Sequence, residues 1–121
     1  MTDETAEVPA EAEAEPERFL PEQPVLRSLV EAFDEAVWDP SASENVVRVT
    51  REDYLAFATA ARDAGFENCV DVTAVDFFRH RRERFEVVLN LVSHQHVLRL
   101  RVNVRLPAEN PSVASVVGLW P

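Results

Sequence analysis

Two neighbouring stretches decide the fold of this chain: RFEVVLNLV at residues 84–92 and LRLRVNVRL at residues 98–106. In both, apolar side chains alternate with mostly polar ones, which is the period of a strand with one face on a core. The positions expected on the core face are Phe85, Val87, Leu89 and Leu91, followed by Leu98, Leu100, Val102, Val104 and Leu106. The sequence SHQH at residues 93–96 joins the two stretches, so we predict an antiparallel hairpin.

Upstream of the hairpin, apolar residues recur at helical spacing in two segments. A first amphipathic helix is predicted after Pro24, ending near Trp38. Its apolar positions are Leu26, Leu29, Val30, Phe33 and Val37. A second helix is predicted from an N-cap at Thr50 to Gly65, where a left-handed C-terminal residue is expected. Its apolar stripe is Tyr54, Phe57, Ala58 and Ala61.

Three shorter segments complete the prediction. A short strand is expected at residues 46–49, a longer one from Cys69 to about Phe77, and a final short helix from Val113 to about Leu119. The resulting element order is α-β-α-β-β-β-α. This order predicts an α+β fold, a two-layer sandwich in which helices cover one face of a largely antiparallel sheet.

The first 24 residues differ in composition from the rest. Residues 1–24 contain eight acidic residues against Arg18, a net charge of −7 within a chain total of −10, and four prolines. Such a segment buries little apolar surface, so we expect a disordered acidic leader over residues 1–24 and one folded domain over residues 25–121.

Composition excludes several classes of protein. The chain has no lysine and only two glycines, Gly65 and Gly118, so neither a Walker phosphate loop nor a dinucleotide fingerprint is present. The lone Cys69 can neither form an internal disulfide nor supply the four thiolates of an iron–sulfur cluster. An acidic chain is a poor ligand for nucleic acid, and no apolar run is long enough to span a bilayer. We therefore expect membrane attachment only through a partner.

The residues that most often perform catalysis or bind metals form no convincing set. His94 and His96 lie in the predicted hairpin connection, and His80 lies in a different turn, so a structural or solvated role is expected for them. Asp71 and Asp76 are five residues apart on one strand and should point to opposite faces. A small free-standing enzyme that uses these carboxylates and histidines remains an alternative. Cys69 is expected to be buried.

An excess of arginine on the predicted sheet is the feature that most needs an explanation. Seven arginines lie between positions 79 and 105, against only Glu83 and Glu86. Pairing with Glu86 accounts for part of this excess, and arginine is favoured at protein interfaces. Two interpretations remain: a subunit interface and a plainly solvated sheet face. The candidate interface residues are Arg84, Glu86, Arg99, Arg101 and Arg105, together with Trp120 in the uncharged C-terminal segment.

Four segments in one order are similar to a known family. They are VDVTAVDF at residues 70–77, RFEVV at 84–88, LRLRV at 98–102 and NPSVASVVGLWP at 110–121. Together they resemble the C subunit of the NADH-quinone oxidoreductase of respiratory complex I. The resemblance runs from about Val25 to Pro121. The family usually continues beyond the Leu-Trp-Pro motif, so we expect this chain to be truncated there.

The resemblance implies a hydrophilic subunit of the peripheral arm with no catalytic site, metal or cofactor of its own. Flavin mononucleotide and iron–sulfur clusters would belong to neighbouring subunits. The expected partners are the quinone-site and iron–sulfur subunits, on the cytoplasmic side of the bacterial cell membrane. The complex would transfer electrons from NADH to a quinone and couple this to proton translocation. The equivalent subunit of a membrane-bound hydrogenase or a reduced-deazaflavin dehydrogenase is the related alternative.

Overall fold

The computed structural model describes residues 18–78 and 82–120. It contains two helices, α1 (Pro24–Glu31) and α2 (Tyr54–Asp63), and five strands. The strands are β1 (Val37–Trp38), β2 (Val46–Arg48), β3 (Asn68–Asp76), β4 (Phe85–Ser93) and β5 (Leu98–Leu106). The predictions for residues 1–17 and for His80 lie outside the described residues.

The five strands form one sheet in the order β1-β2-β5-β4-β3. Three neighbouring pairs are antiparallel, and β2 with β5 is the one parallel pair in the described sheet. The predicted hairpin is confirmed: Phe85 is aligned with Leu106 and Ser93 with Leu98, and residues 94–97 form the turn. A largely antiparallel sheet with helices on one face is therefore confirmed as well.

The core lies between the two helices and one face of the sheet. The apolar alternation of β4 and β5 supplies the sheet side, and the helical stripes supply the other. Phe57 of α2 is fully buried and packs against Phe33, with 5.2 Å between the ring centroids. Further buried members of the cluster are Leu26, Leu29, Tyr54, Ala61, Leu89, Leu100, Val102 and Val104. Neither described helix is long and apolar enough to cross a membrane.

Helix α1 is shorter than predicted: it ends at Glu31 instead of continuing to Trp38. The guanidinium of Arg18 donates hydrogen bonds to the carbonyl oxygens of Val30, Phe33 and Ala36, which satisfies groups that a longer helix would have paired internally. Residues 32–36 form turns, and Val37–Trp38 then pairs with β2 as a short edge strand. The predicted helical end is therefore wrong.

The start of α2 also differs from the prediction. Asp53, and not Thr50, is the N-cap residue, and its side chain makes no capping hydrogen bond. Thr50 instead closes the preceding turn, where its Oγ1 accepts a hydrogen bond of 3.1 Å from the backbone N–H of Asp53. At the other end, Gly65 has φ +118° as the sequence predicts for a residue that follows a helix.

The predicted final helix does not form. Residues 111–116 have no regular secondary structure and residues 117–119 make a turn. The guanidinium of Arg51 donates to the carbonyl oxygens of Asn110 and Ser112, which holds the start of this segment. Its apolar side chains then pack against the core, and we attribute the absence of a helix in this segment to this packing. These side chains are Val113, Val116, Leu119 and Trp120.

Candidate subunit interface

The sheet face opposite the helices carries a group of arginines, which we call the arginine face. It consists of Arg48 on β2 and of Arg99, Arg101 and Arg105 on β5. The alternation of β5 directs its arginines away from the buried Leu100, Val102 and Val104. Arg48 joins them because it is aligned with Asn103 in the parallel pair. The predicted common face of the three β5 arginines is confirmed, and Arg48 is an addition that sequence reasoning missed.

A polar network crosses three strands in the middle of the face. Arg101 forms an ion pair of 3.2 Å with Glu44, and its Nε donates to Asn90 Oδ1 at 3.3 Å. The amide of Asn90 in turn donates a hydrogen bond of 2.7 Å to Asp71 Oδ1 on β3. The ion pair is largely exposed, so it adds little to stability. The network as a whole fixes the position of Arg101 and provides partners for the carboxylates of Glu44 and Asp71.

The other arginines of the face form no ion pair within the described chain, although the pKa of the nearby Asp39 carboxylate is lowered by hydrogen bonds from Ser41 and further by the charge of Arg48. No described carboxylate forms an ion pair with Arg48, Arg99 or Arg105. Within the described chain, the buried Nε of Arg105 and the buried Oδ1 of Asn103 have no hydrogen-bond partner. Buried polar atoms are normally satisfied. An outside partner cannot reach this buried Nε, so the argument for a binding surface rests on the three guanidinium groups that form no ion pair within the described chain.

Glu86 lies on the same face but is only 6% exposed. It is aligned with Arg105 in the β4–β5 register and with Val75 on β3. A buried carboxylate needs a compensating charge or hydrogen bond, and Glu86 does have an interaction within the chain. The structure therefore places Glu86 beneath the accessible surface of the face.

Arg84 is separated from the arginine face by its own contacts. It lies one residue before β4, and its guanidinium makes a bidentate pair with the Asp76 carboxylate at 2.7 and 2.8 Å. It also lies over the rings of Phe78 and Phe85, 4.5 and 4.9 Å from their centroids. The hydrogen bonds from Arg84 hold the pKa of Asp76 below its ordinary value of 3.8. Arg84 thus links the end of β3 to the start of β4.

Trp120 is half-buried, and its indole Nε1 donates a hydrogen bond of 2.9 Å to the carbonyl oxygen of Phe66. The ring packs against the core and borders a groove of about 740 Å³ that also runs along Cys69 and Val72. The docking role of Trp120 stays a prediction; within this chain the side chain ties the C-terminal segment to the end of α2.

Strand β3 forms one edge of the sheet, and this position was not predicted. Its side chains are exposed on both faces except at Cys69, with Val70 58% exposed, Val72 49% and Val75 40%. A long edge strand with unpaired backbone groups is a template for pairing with another chain unless charge or proline blocks it. β3 has no lysine or proline, and its two charged residues, Asp71 and Asp76, are bound by Asn90 and Arg84. A register shift between Cys69 and Asp71 is the irregularity recorded in its pairing.

The two carboxylates of the enzyme alternative do not converge. Asp71 is aligned with Asn90 on the arginine face, whereas Asp76 is aligned with Phe85 on the helix side. Each is engaged by a neighbour, Asp71 by Asn90 and Asp76 by Arg84. The predicted separation is confirmed, and no acid–base pair is formed between them.

The described histidines have positions in the fold that do not require a metal. His96 lies with Nε2 2.9 Å from the carbonyl oxygen of Ala64, and the backbone N–H of His94 donates to Glu67 Oε1 at 2.6 Å. That second bond holds the pKa of Glu67 below its ordinary value. Among residues 18–78 and 82–120, no three histidine, cysteine or acidic side chains are grouped to hold a metal ion.

Cys69 is half-buried and not buried as predicted, because it lies on the edge strand β3. Burial raises the pKa of its thiol, and the nearby Asp71 carboxylate raises it further. A nucleophilic cysteine needs the opposite surroundings, an electropositive site that lowers the thiol pKa. The thiol therefore behaves as a packing group at the side of the groove.

Curated proteins that match this chain carry the same subunit name. The C subunit of NADH-quinone oxidoreductase from Paraburkholderia xenovorans is 40% identical over 86 residues, which cover 64% of this chain and 43% of the relative. The protein of the same name from Geobacter metallireducens is 35% identical over 95 residues, 76% of this chain and 59% of the relative. The chain thus spans about half the length of the curated relatives it matches.

Solved structures agree on the fold. A trypsin-resistant fragment of Nqo5 superposes with a TM-score of 0.67 at 25% identity, covering 81% of this chain and 80% of that one. A chain of an archaeal membrane-bound sulfane sulfur reductase shares the fold with a TM-score of 0.69 at 18% identity, covering 82% of this chain and 59% of that one. The family described as "Respiratory-chain NADH dehydrogenase, 30 Kd subunit" matches residues 47–121, and the chain belongs to this family.

Proposed function

We propose that this chain acts as the C subunit of an NADH-quinone oxidoreductase, as a non-catalytic member of its peripheral arm. The observation that carries the proposal is the family match over residues 47–121, supported by relatives of that name. In this role the chain supports electron transfer from NADH to a quinone, coupled to proton translocation, without reacting itself.

The surfaces of the domain favour an interaction role over a catalytic one. The arginine face leaves three guanidinium groups without an ion-pair partner in the described chain. The edge strand β3 adds exposed valines and a row of backbone groups that can pair with another strand. A subunit whose role is to be held between neighbours is expected to have surfaces of this kind.

The proposal assigns the cofactors to neighbouring subunits. Iron–sulfur clusters are normally held by four cysteine thiolates, and this chain has the single Cys69. Flavin mononucleotide and the clusters would then be bound next to this subunit, in the quinone-site and iron–sulfur subunits and their neighbours. We place the subunit at the cytoplasmic side of the bacterial membrane, attached to it only through the complex.

Affinity purification tests the proposal. The tagged chain is expressed in its own source, membranes are solubilised in mild detergent, and co-purifying proteins are identified by mass spectrometry. We expect quinone-site and iron–sulfur subunits in the eluate, together with NADH-quinone activity. Recovery of the chain alone, or with partners from a complex that does not oxidise NADH, would refute it.

A matched pair of variants locates the interface. Arg99→Glu reverses an exposed charge of the arginine face and should reduce recovery of the partner subunits. Arg62→Glu makes the same change on α2, where the arginine contacts its neighbour Asp63 at 3.2 Å, and should leave recovery unchanged. Equal recovery with both variants would remove the arginine face from the interface without affecting the proposed function itself.

A further inference from the structure

The free edge of β3 has backbone groups that point away from the sheet. Just after the strand, the N–H of Phe77 donates a hydrogen bond of 2.7 Å to the carbonyl oxygen of Arg84. Along an antiparallel pair, residues that bond to the neighbouring strand alternate with residues whose groups point outward. By this alternation, the outward N–H and C=O groups belong to Val72, Ala74 and Asp76. β3 is the last strand of the sheet on this side, so no described strand pairs with them.

This part of the edge is regular and lacks the usual protection. Proteins commonly protect an edge strand with lysine, proline, a bulge or a covering element. The register shift of β3 lies between Cys69 and Asp71, before the outward groups begin, and from Val72 to Asp76 the pairing with β4 is continuous. The carboxylates of Asp71 and Asp76 already have partners within the chain. A further strand can therefore pair with this stretch.

The groove beside Trp120 continues the edge on the helix side of the sheet. Cys69 and Val72 line it on β3, and residues 111–117 line it on the C-terminal segment. Val72 points to this side because it is aligned with the buried Leu89. A strand paired with β3 alternates its side chains between the two faces of the sheet, so every second one would point into the groove.

The lining of the groove favours apolar side chains. Val87, Val113 and Val116 contribute to it together with Val72. The carboxylate of Glu67 also belongs to the lining, but it accepts a hydrogen bond of 2.6 Å from the backbone N–H of His94. The unpaired backbone groups thus require a strand, and the groove requires that alternate side chains of this strand be apolar.

We propose that a strand of a partner subunit extends the sheet at β3 and places its alternate apolar side chains in the groove. This inference rests on the proposed function, which supplies the partner. Main-chain hydrogen bonds to Val72, Ala74 and Asp76 give the contact its affinity, and the groove selects the side chains. A second copy of β3 fits the groove poorly, because on this side it would offer a small Ala74 and a charged Asp76 next to Val72.

Two substitutions at Ala74 test the added strand. Proline removes the outward N–H and is tolerated on an edge strand whose N–H faces away from the sheet. Threonine keeps the N–H and suits a strand, so Ala74→Thr is the matched control. Tagged chains with either substitution are purified from detergent-solubilised membranes. Recovery of partner subunits with Ala74→Pro should be roughly tenfold lower than with Ala74→Thr, which corresponds to about 1.4 kcal/mol.

Hydrogen exchange of the unsubstituted chain gives an independent measurement, which decides if Ala74→Pro fails to fold. In the isolated chain at low concentration, the amides of Val72, Ala74 and Asp76 should exchange quickly. Those of Thr73 and Val75 bond to β4 and should exchange slowly. In the purified complex, the first three amides should become as slow as the other two.

The outcomes separate this inference from the proposed function. Partner subunits that co-purify while the amides of Val72, Ala74 and Asp76 stay unprotected would overturn the added strand and leave the proposed function intact. So would equal recovery with two folded Ala74 variants. Protection that rises with the concentration of the isolated chain and does not increase in the complex would identify a second copy as the occupant, against the proposal. Purification of the chain without partner subunits would overturn both.

Discussion

The imidazole of His96 lies directly against the backbone at Gly65. Its Nε2 atom is 2.9 Å from the carbonyl oxygen of Ala64, and a Cβ atom at Gly65 would be only 2.8 Å from that same nitrogen. The turn between β4 and β5 is thereby docked on the C-terminal end of α2. Gly65 serves two purposes here, because it provides the positive φ of +118° and leaves space for the ring.

Gly65→Ala should therefore destabilise the domain. The substitution introduces both an unfavourable φ and a clash with His96, so we expect the free energy of unfolding to fall by about 1–3 kcal/mol. Chemical denaturation measures this. Gly118→Ala is the control, because a Cβ there meets no atom within 4 Å. Equal effects of the two substitutions would contradict the docking of the turn.

Trp120→Phe should loosen the C-terminal segment. The change removes the hydrogen bond from Nε1 to the carbonyl oxygen of Phe66, which costs about 1 kcal/mol beyond the lost packing. Amide exchange at residues 113–119 should accelerate together with the loss of unfolding free energy. Trp38→Phe changes another half-buried indole, one on the edge strand β1 and away from this segment. If amide exchange at residues 113–119 is equally fast in the two variants, Trp120 does not anchor this segment.

Low pH should reduce the contribution of Asp76 to the stability of the folded chain. Hydrogen bonds from Arg84 hold the pKa of this carboxyl below 3.8 in the folded chain. The folded state therefore favours the charged form, and the stabilisation is present above the unfolded pKa and is lost as pH falls through the lowered folded value. The difference in unfolding free energy between wild type and Asp76→Asn should be largest near neutral pH and shrink below about pH 4.

Arg84→Gln supplies the control for this pH dependence. Without the guanidinium, Asp76→Asn should change the unfolding free energy little at any pH. The comparison must be made between variants, because Asp39 and Glu67 also have lowered pKa values and titrate in the same range. If Asp76→Asn still changes the unfolding free energy in a pH-dependent way in the Arg84→Gln background, another group lowers the pKa of Asp76.

The exposed edge strand predicts a tendency to self-associate. Val72→Lys places a charge in the middle of β3 and should reduce association of the isolated chain, measured by sedimentation velocity. The unfolding free energy should change by no more than about 0.5 kcal/mol, since Val72 is 49% exposed. Val117→Lys, at a position 79% exposed outside the sheet, is the matched control. Equal association of both variants would show that β3 is not the responsible surface.

Local periodicity was sufficient for the central hairpin. β4 and β5 end within one or two residues of their predicted limits, because the apolar side chains that alternate along both strands are buried or nearly so. The same alternation placed Arg99, Arg101 and Arg105 together and kept Asp71 and Asp76 apart. These are properties of a single strand and need no knowledge of its neighbours.

The errors occur where distant residues decide the local structure. Helix α1 ends early where Arg18 binds carbonyl groups at its last turn and just beyond it, and residues 111–116 form no helix where Arg51 and the core hold them. Arg48 belongs to the arginine face through pairing of β2 with β5, and β3 is an edge strand through the order of the sheet. None of these relations leaves a periodic signal in the sequence.

The position of β5 has a consequence for synthesis on the ribosome. This strand is the last one described in the chain, yet it lies in the centre of the sheet and joins β2 to β4. The β3–β4 ribbon can form as soon as it emerges, but β1 and β2 have no sheet to join until residues 98–106 have left the exit tunnel. A nascent chain that ends before β5 therefore leaves part of its apolar core surface exposed to water, the condition in which incomplete chains tend to aggregate.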